Sequence, residues 1–280
     1  MGDPLRVPTT PYQRKEGYAY PLKQYHNRVK SMLLSVFSHG VARHLDLACG
    51  RGGDIHKWNR ARIAYVHGLD LSANEIAEAR SRYDSIRPET TTCTFEQTDR
   101  LTRDPISFER PFDTVSCMFS MHYFTHSKRA LRRVLQTVSN ALRDGGIFYG
   151  IVTNGHAVAS KLRTRRRCWR QGSVCIRTTR TPGAYTFTIP DTVVDRDEHV
   201  ETYVFPEPLR REARRVGLVP CSIETDDNRK WFQPSISQTW WRPLKASYKG
   251  PRDLHRATET YACFAFRKQT TTSTTLLMDL

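Results

Sequence analysis

The sequence predicts an α/β fold in which a mostly parallel sheet carries helices on both faces. A short apolar run at residues 41–47 leads into a glycine-rich turn and a segment that can open a helix, the typical start of a doubly wound domain. Strand and helix signals then alternate along the chain, as they do in parallel sheets. A length of 280 residues, 38% of them hydrophobic, suits one large domain with a modest insertion.

The turn holds three glycines within four positions, Gly50, Gly52 and Gly53. Glycines permit positive φ and a close approach of the backbone to a ligand, which suits nucleotide binding. The spacing differs from the dinucleotide pattern G-x-G-x-x-G, and an acid, Asp46, lies at the end of the preceding strand. A carboxylate repels a pyrophosphate and attracts a cation, so the pattern favours S-adenosylmethionine, which carries an ammonium and a sulfonium.

Two more acids follow predicted strands. Asp70 ends the run at 63–70. Its separation from Asp46 along the chain is close to that expected of an acid that binds ribose hydroxyls. Asp99 follows a β-rich segment at 91–97, where it can meet an adenine amino group. The alternatives are an ordinary turn with a capping acid and, for Asp99, a loop cap. Taken together, the acids and glycines predict a methyltransferase core.

Composition predicts a polyanionic partner. The chain has 44 Lys and Arg against 28 Asp and Glu, a net charge of +16, although such charge can also serve solubility alone. Seven cysteines without a C-x-x-C pair favour a reducing compartment and argue against structural zinc, and we predict no metal site. Neither a membrane span of ~18 apolar residues nor a signal peptide is expected.

Other segments give weaker predictions. Residues 1–20 are expected to form a flexible arm. A helix over 25–37 places Asn27 and Lys30 near one face, which by itself is a solvated face.

His122 and Tyr123 follow a strand at 112–119, where an imidazole and an aromatic ring can hold a base or simply pack. A basic run at 161–170 is either a solvated or disordered face or a holder of phosphates. It falls in a predicted β insertion over 156–205.

Longer motifs make the sequence resemble the mRNA cap guanine-N7 methyltransferases of eukaryotes and large DNA viruses. The resemblance is collinear over about residues 24–268 and includes Leu-Asp-Leu-Ala-Cys-Gly-Arg-Gly-Gly-Asp at 45–54. Its other motifs lie at 25–31, 68–83, 112–124, 201–206 and 260–268. It implies a Rossmann-like class I methyltransferase fold with a seven-stranded, mostly parallel sheet. The implied domain covers 21–268, followed by a tail at 269–280.

Carried over by position, the resemblance implies two groups of site residues. The S-adenosylmethionine group is Lys30, Asp46, Gly50, Asp54, Asp70, Asp99, Met118 and Tyr123. The cap group is His26, Asn27, Arg51, Arg82, His122, Tyr123, Glu201 and Tyr261, with the two arginines near the phosphates. Three positions depart from the family. His26 replaces an Asn, Met118 replaces a Gln, and the segment around Glu201 is one residue shorter.

The implied activity is methyl transfer from S-adenosylmethionine to N7 of the cap guanine of GpppN-RNA. It needs neither a general base nor a metal, and Glu201, His122, Tyr123 and Tyr261 position the guanine. Expected partners are capped RNA and a guanylyltransferase, a triphosphatase or a stimulatory subunit, in the nucleus or, for a viral protein, the host cytoplasm. A non-catalytic cap-binding or stimulatory subunit is the alternative, motivated by Met118 and His26. The net charge disfavours a small-molecule methyltransferase.

Overall fold

The computed structural model describes residues 17–164, 167–190, 200–233, 239–245 and 251–270. Helices within these ranges are α1 (Tyr20–Phe37), α2 (Ile55–Arg60), α3 (Ala73–Ile86), α4 (Lys128–Ala141), α5 (Gly155–Thr164), α6 (Pro206–Arg214) and α7 (Arg252–Thr258). Strands are β1 (Arg43–Leu47), β2 (Tyr65–Asp70), β3 (Thr92–Gln97), β4 (Phe112–Met118), β5 (Leu142–Thr153), β6 (Cys168–Gln171), β7 (Val174–Thr178), β8 (Ala184–Thr188), β9 (Val200–Thr202), β10 (Leu218–Pro220), β11 (Trp241–Pro243) and β12 (Tyr261–Lys268).

The main sheet has eight strands in the described residues, with the path β10-β12-β5-β4-β1-β2-β3 and β11 paired to β12. Strands β1 to β5 are all parallel, and β12 runs antiparallel to β5. This confirms the predicted α/β fold, whereas the predicted number of seven strands is wrong by one. The additional strand β11 pairs with β12 over only three residues. A segment this short shows no recognisable alternation of apolar and polar residues from which a strand could be predicted.

Helices cover both faces of this sheet. On one face α4 buries Leu131, Val134, Leu135 and Val138, each of which stabilises the fold by roughly 1.5–3 kcal/mol. On the other face, α1 packs with α2 and α3 into a second apolar cluster. No helix among the described residues combines the length and apolar character needed to span a bilayer.

The described residues begin within the predicted arm of residues 1–20. Tyr18 and Ala19 lie in a turn, and Tyr20 begins α1. Ala19 is 2% exposed, and the Tyr18 hydroxyl donates a hydrogen bond to Asp253 of α7. The predicted boundary thus reaches one residue into α1, while residues 1–16 and most of the predicted tail lie outside the described residues.

A second sheet of four antiparallel strands, β6-β7-β8-β9, forms the insertion. The basic run contributes the end of α5 and most of β6, and its described arginines are exposed, as expected of a solvated face. Lys161 lies 4.5 Å from the centre of the Trp169 ring, a cation–π contact between α5 and β6. The Gly155 amide donates to the Val204 carbonyl at 2.9 Å and joins the start of the insertion to its end.

Candidate functional site

The glycine turn and Asp70 form one hydrogen-bonded unit at the carboxyl ends of β1 and β2. The amide of Gly50 donates to Asp70 Oδ2 at 2.8 Å, and the amide of Ser72 donates to Oδ1 at 2.9 Å. Gly50 and Gly52 have φ of +55° and +66°, which other residues adopt only with strain. A Cβ at Gly53 would meet nothing within 4 Å, and Gly53 has no positive φ, so the backbone conformation favours glycine at Gly50 and Gly52 only.

Asp46 is a buried carboxylate at the point where the strand order changes direction. It lies on β1 beside Ser116 of β4, whose hydroxyl donates to it, and it is only 3% exposed. Burial and then the charge of Asp54 raise the pKa of Asp46 to about 7. A carboxylate that loses its hydration with so little compensation favours a cationic ligand.

Asp54 connects the glycine turn to α1 through two lysines. Lys30 Nζ lies 2.7 Å from Asp54 Oδ2, and Lys57 Nζ lies 2.7 Å from Oδ1. Burial acts to raise the pKa of Asp54, but the lysine charges and hydrogen bonds outweigh it and hold the pKa at about 2. Lys30 also lies 5.7 Å from the centre of the Phe119 ring. The predicted Lys30 and Asp54 are thus in direct contact.

The predicted phosphate arginines both pair with acids of α3. Arg51 binds Glu75 through two hydrogen bonds of 3.1 and 2.6 Å, and Arg82 pairs with Glu78 at 3.0 Å. Among the described contacts, none links Arg82 to the other predicted site residues. Asp99 follows β3 as predicted, and its half-exposed side chain pairs with Arg103 at 2.7 Å.

Glu201 lies buried where the insertion meets the main sheet. Its Oε2 accepts hydrogen bonds from the Tyr185 hydroxyl at 2.7 Å and from the Thr153 hydroxyl at 3.0 Å, and the residue is 4% exposed. Burial and the Glu201 charge raise the pKa of Tyr261, at the start of β12, well above its usual value. Tyr261 therefore lies close to Glu201 and stays neutral.

An aromatic wall joins α1 to the main sheet. The His26 ring centre lies 4.6 Å from that of Phe119 and 4.8 Å from that of Tyr261, while Phe119 and Tyr261 are 5.3 Å apart. His26 Nε2 is buried without a hydrogen-bond partner. Burial and then the Lys30 charge lower the His26 pKa to about 3, so this imidazole is neutral at physiological pH. Asn27 lies next to His26 and is half-buried.

His122 and Tyr123 occupy a 3₁₀ turn, Met121–Phe124, that follows Met118 and Phe119. Their ring centres are 4.1 Å apart, and the Thr202 hydroxyl donates to the His122 carbonyl. Burial and the charges of Glu201 and Asp70 raise the pKa of Tyr123 to about 12. Tyr123 therefore lies within electrostatic range of both Glu201 and Asp70.

Two functional candidates escape sequence reasoning. Tyr185 lies within a β-patterned segment that gives no sign of a partner for Glu201. Phe119 has a φ of +62°, a strained conformation for a bulky side chain, and its amide donates to the Ile151 carbonyl at 2.7 Å. The only sequence signal for Phe119 is its position directly after a central strand.

Comparison with known proteins identifies the sequence family. The profile of the mRNA (guanine-N(7))-methyltransferase domain matches residues 6–177, more than half of the chain. The mRNA cap guanine-N(7) methyltransferase 1 of Arabidopsis thaliana is 34% identical over 172 residues, covering 56% of this chain and 45% of that protein. The mRNA cap guanine-N(7) methyltransferase of Saccharomyces cerevisiae is 28% identical over 281 residues, covering 88% and 64%. This chain thus spans about half the length of several curated relatives.

Solved structures agree on the fold. The CcbJ methyltransferase from Streptomyces caelestis has a TM-score of 0.60 at 12% identity and covers 92% of this chain and 96% of its own. An S-adenosylmethionine-dependent methyltransferase from Clostridium acetobutylicum has a TM-score of 0.56 at 14% identity and covers 92% and 97%. The solved structures show the fold, and the profile match over more than half of the sequence shows that the chain belongs to the mRNA (guanine-N(7))-methyltransferase family.

Proposed function

We propose that this protein transfers a methyl group from S-adenosylmethionine to N7 of the cap guanine of GpppN-RNA. The observation that carries the proposal is the presence of two buried carboxylates, Asp46 and Glu201, in different surroundings. Asp46 lies beside the glycine turn and accepts from the Ser116 hydroxyl, whereas Glu201 accepts from the Tyr185 hydroxyl and lies near Tyr261. The first arrangement suits a cationic donor, and the second suits a purine.

The donor pocket fits S-adenosylmethionine by its chemistry. Asp46 offers a buried, poorly compensated carboxylate to the cationic amino acid part. Asp70, which orders the glycine turn, and the half-exposed Asp99 lie at successive strand ends, where ribose and adenine groups are bound in such sheets. Lys30 supplies the positive charge for a carboxylate, and Gly50, Asp54, Met118 and Tyr123 complete this pocket. When bound, S-adenosylmethionine supplies an activated methyl group on its sulfonium.

The acceptor pocket fits guanine. In our proposal, Glu201 accepts hydrogen bonds from the guanine N1–H and exocyclic amine, while Tyr185 and Thr153 hold the carboxylate in place. His122, Tyr123 and Tyr261 surround the base, and His26 and Asn27 approach it from α1. Arg51 and Arg82 lie toward the triphosphate, where an incoming phosphate would compete with Glu75 and Glu78 for them.

The chain's contribution to catalysis is positioning and a complementary field. Guanine N7 carries no proton, so no residue needs to act as a general base. Methylation gives the purine a positive charge, and the fixed negative charge of Glu201 favours that charge as it develops. The aromatic wall holds the base in one orientation, which supplies the entropic part of the acceleration.

We further propose that the protein acts where transcripts are capped, the nucleus of a cellular organism or the host cytoplasm for a viral one. It would act there with a guanylyltransferase, a triphosphatase or a stimulatory subunit on other chains. The alternative of a non-catalytic subunit finds no support in the site, since the acids of the donor pocket are retained.

The test is methyl transfer from labelled S-adenosylmethionine to GpppA-capped RNA, followed by nuclease digestion to locate the label. We expect label in m7GpppA. Label on ribose would overturn the acceptor pocket. Absence of label with normal cofactor binding by calorimetry would contradict activity of the isolated chain, and absence of both would favour the non-catalytic alternative.

A further inference from the structure

Helices α4 and α6 pack side by side on one face of the main sheet and carry a marked excess of positive charge. Together with Arg215, which caps α6, they contain eight cations and two acids. The cations are Lys128, Arg129, Arg132, Arg133, Arg210, Arg211, Arg214 and Arg215, and the acids are Glu207 and Glu212. Six of the cations are exposed, and we call these the α4–α6 basic face: Lys128, Arg129, Arg132, Arg211, Arg214 and Arg215.

A single buried carboxylate organises the centre of this face. Glu212 is 1% exposed, and Arg132 Nε lies 2.6 Å from it. Arg211, Arg215 and Lys128 approach the same carboxylate at 3.3, 3.5 and 3.8 Å. One negative charge thus orders four positive charges, which remain 44–60% exposed and largely uncompensated. Such self-repulsion disfavours the folded state unless an anion is bound.

The start of α4 adds a second, independent observation. Lys128 and Arg129 occupy its first turn, and no acid lies there. The amino end of a helix already carries a partial positive charge, so two cations at this end oppose the helix dipole. Ser127 caps the helix by accepting from the Ala130 amide at 3.1 Å, so the helix begins at a defined point despite this repulsion. The charge pattern is therefore suited to an anion rather than to helix stability.

The basic face begins at the candidate site. Helix α4 follows the turn that holds His122 and Tyr123, and α6 follows the strand that holds Glu201. The hydroxyls of Thr125 and Thr202 are hydrogen-bonded at 2.7 Å, which links the segments that lead into α4 and α6. From there α4 runs about 21 Å away, at 1.5 Å for each of its residues.

We propose that the α4–α6 basic face binds the phosphodiester backbone of the RNA that follows the cap. The proposal rests on the proposed function, because it takes capped RNA as the substrate. The face begins beside the position proposed for the guanine, within reach of the nucleotides that follow the triphosphate. Arginine guanidinium groups match phosphate oxygens in geometry, and the six residues of the face include no aromatic side chain to read or stack on bases. The contact is therefore independent of RNA sequence.

The test uses two double variants. Arg129→Gln/Arg214→Gln leaves the contacts of Glu212 in place, and Arg211→Gln/Arg215→Gln removes two of them. Arg229→Gln/Arg256→Gln is the matched control, since these arginines are exposed and pair with Glu224 and Glu259 elsewhere. The probe is a fluorescent single-stranded RNA of twenty nucleotides with a 5′-hydroxyl, so that its binding does not depend on cap recognition or methyl transfer.

We expect each double variant to lower the slope of log affinity against log salt by about 1.4, because each lost phosphate contact accounts for about 0.7. The KM for capped twenty-nucleotide RNA should rise at least about fivefold, a loss of roughly 1 kcal/mol. The KM for the GpppG dinucleotide should stay unchanged, as should every value for the control.

Unchanged RNA binding in both variants would overturn the proposal, and an acidic protein segment would then be the ligand to test on this face. Equal losses on capped RNA and on GpppG would also overturn it, because the arginines would then act on the cap site itself. Failure of the unmodified protein to methylate capped RNA would refute the proposed function, whereas binding of the uncapped probe would still decide whether the face holds an RNA backbone.

Discussion

Tyr185 and Glu201 lie opposite each other in the β8–β9 pairing, and the tyrosine hydroxyl donates to the glutamate carboxylate at 2.7 Å. The bond fixes the orientation of a charge that is 4% exposed. Glu201 also connects the insertion to the main sheet, because the Thr153 hydroxyl of β5 donates to the same carboxylate oxygen. The position of Glu201 therefore depends on two sheets at once.

Glu201→Gln should lower the rate of methyl transfer to capped RNA by about 10²–10³-fold, since it removes the charge that stabilises the cationic purine. The dissociation constant for S-adenosylmethionine should not change, because the donor pocket lies elsewhere. Single-turnover kinetics and calorimetry measure the two quantities. Glu259→Gln, a change in an exposed ion pair, is the control. Parallel loss of rate and cofactor affinity would contradict the assigned role.

Tyr185→Phe should also lower methyl transfer to capped RNA, but by less than Glu201→Gln does. It deletes one hydrogen bond to a buried carboxylate and leaves the charge, so we expect a loss of about 1.5–3 kcal/mol in transition-state stabilisation. The loss should appear in kcat/KM for capped RNA. A variant that is as active as the parent would show that Thr153 alone suffices to orient Glu201.

Asp46 should make the cofactor-free protein less stable as the pH rises. Its folded-state pKa of about 7 exceeds the ordinary value of 3.8, so the folded protein holds this proton more tightly and loses relative stability between pH 4 and 7. Asp46→Asn should therefore raise the free energy of unfolding by up to about 4 kcal/mol at pH 8 and by little at pH 4. Urea denaturation at both pH values measures this, and a gain that is independent of pH would contradict it.

The same variant should bind S-adenosylmethionine more weakly, because the cation-attracting charge is lost. In the unmodified protein, binding near pH 7 should release a proton from Asp46, since a nearby cation lowers its pKa. Calorimetry in two buffers of different ionisation enthalpy measures the released proton. Asp46→Asn should abolish this release, and its persistence would assign the proton to another group.

Asp54 should make the protein less stable as the pH falls, the opposite of the effect of Asp46. Its folded-state pKa of about 2 lies below 3.8, so its contribution to stability is present above pH 4 and is lost as the pH falls toward 2. Asp54→Asn should cost about 2–3 kcal/mol at pH 7, because it leaves Lys30 and Lys57 near each other without their shared anion. The difference from the parent should shrink in acid. Asp104→Asn, at an exposed position, should cost little.

His26 should not contribute to the pH dependence of methyl transfer between pH 5 and 8, since its pKa is about 3. His26→Asn places at this position the residue that the family resemblance implies and should change kcat/KM by less than about tenfold, or 1.4 kcal/mol. His26→Ala should cost more, because it opens a gap between Phe119 and Tyr261. Rate profiles of the parent and both variants measure these effects. A rate component near pH 6.5 that disappears in His26→Asn would contradict the assignment.

Local sequence predicts the glycine turn and the acids that flank it. The glycine turn, its flanking strand and Asp46 lie within one short segment, and Ser72 caps α3 by accepting from the Glu75 amide, the contact typical of a Ser-x-x-Glu segment. Alternating strand and helix signals predict the parallel sheet, because side-chain periodicity reflects burial that each element experiences along its own length. Such features need no knowledge of distant residues.

The acceptor pocket depends on contacts that no local pattern records. Its ring contacts join His26 to Tyr261, and its carboxylate contacts join Glu201 to residues of β5 and β8. The family profile ends at residue 177, so neither Glu201 nor Tyr261 lies within its match. Only the resemblance of longer motifs points to them in the sequence.

The sequence by itself determined the α/β order of the chain, the glycine turn and the excess of positive charge. The tertiary structure alone decided that Tyr185 holds Glu201, that Phe119 adopts a positive φ beside His26, and that Glu212 gathers four cations from two helices. The physical reason is that backbone preference and periodicity act between neighbours in sequence. A buried charge is instead stabilised by whichever partners the packing of distant elements brings within hydrogen-bonding distance.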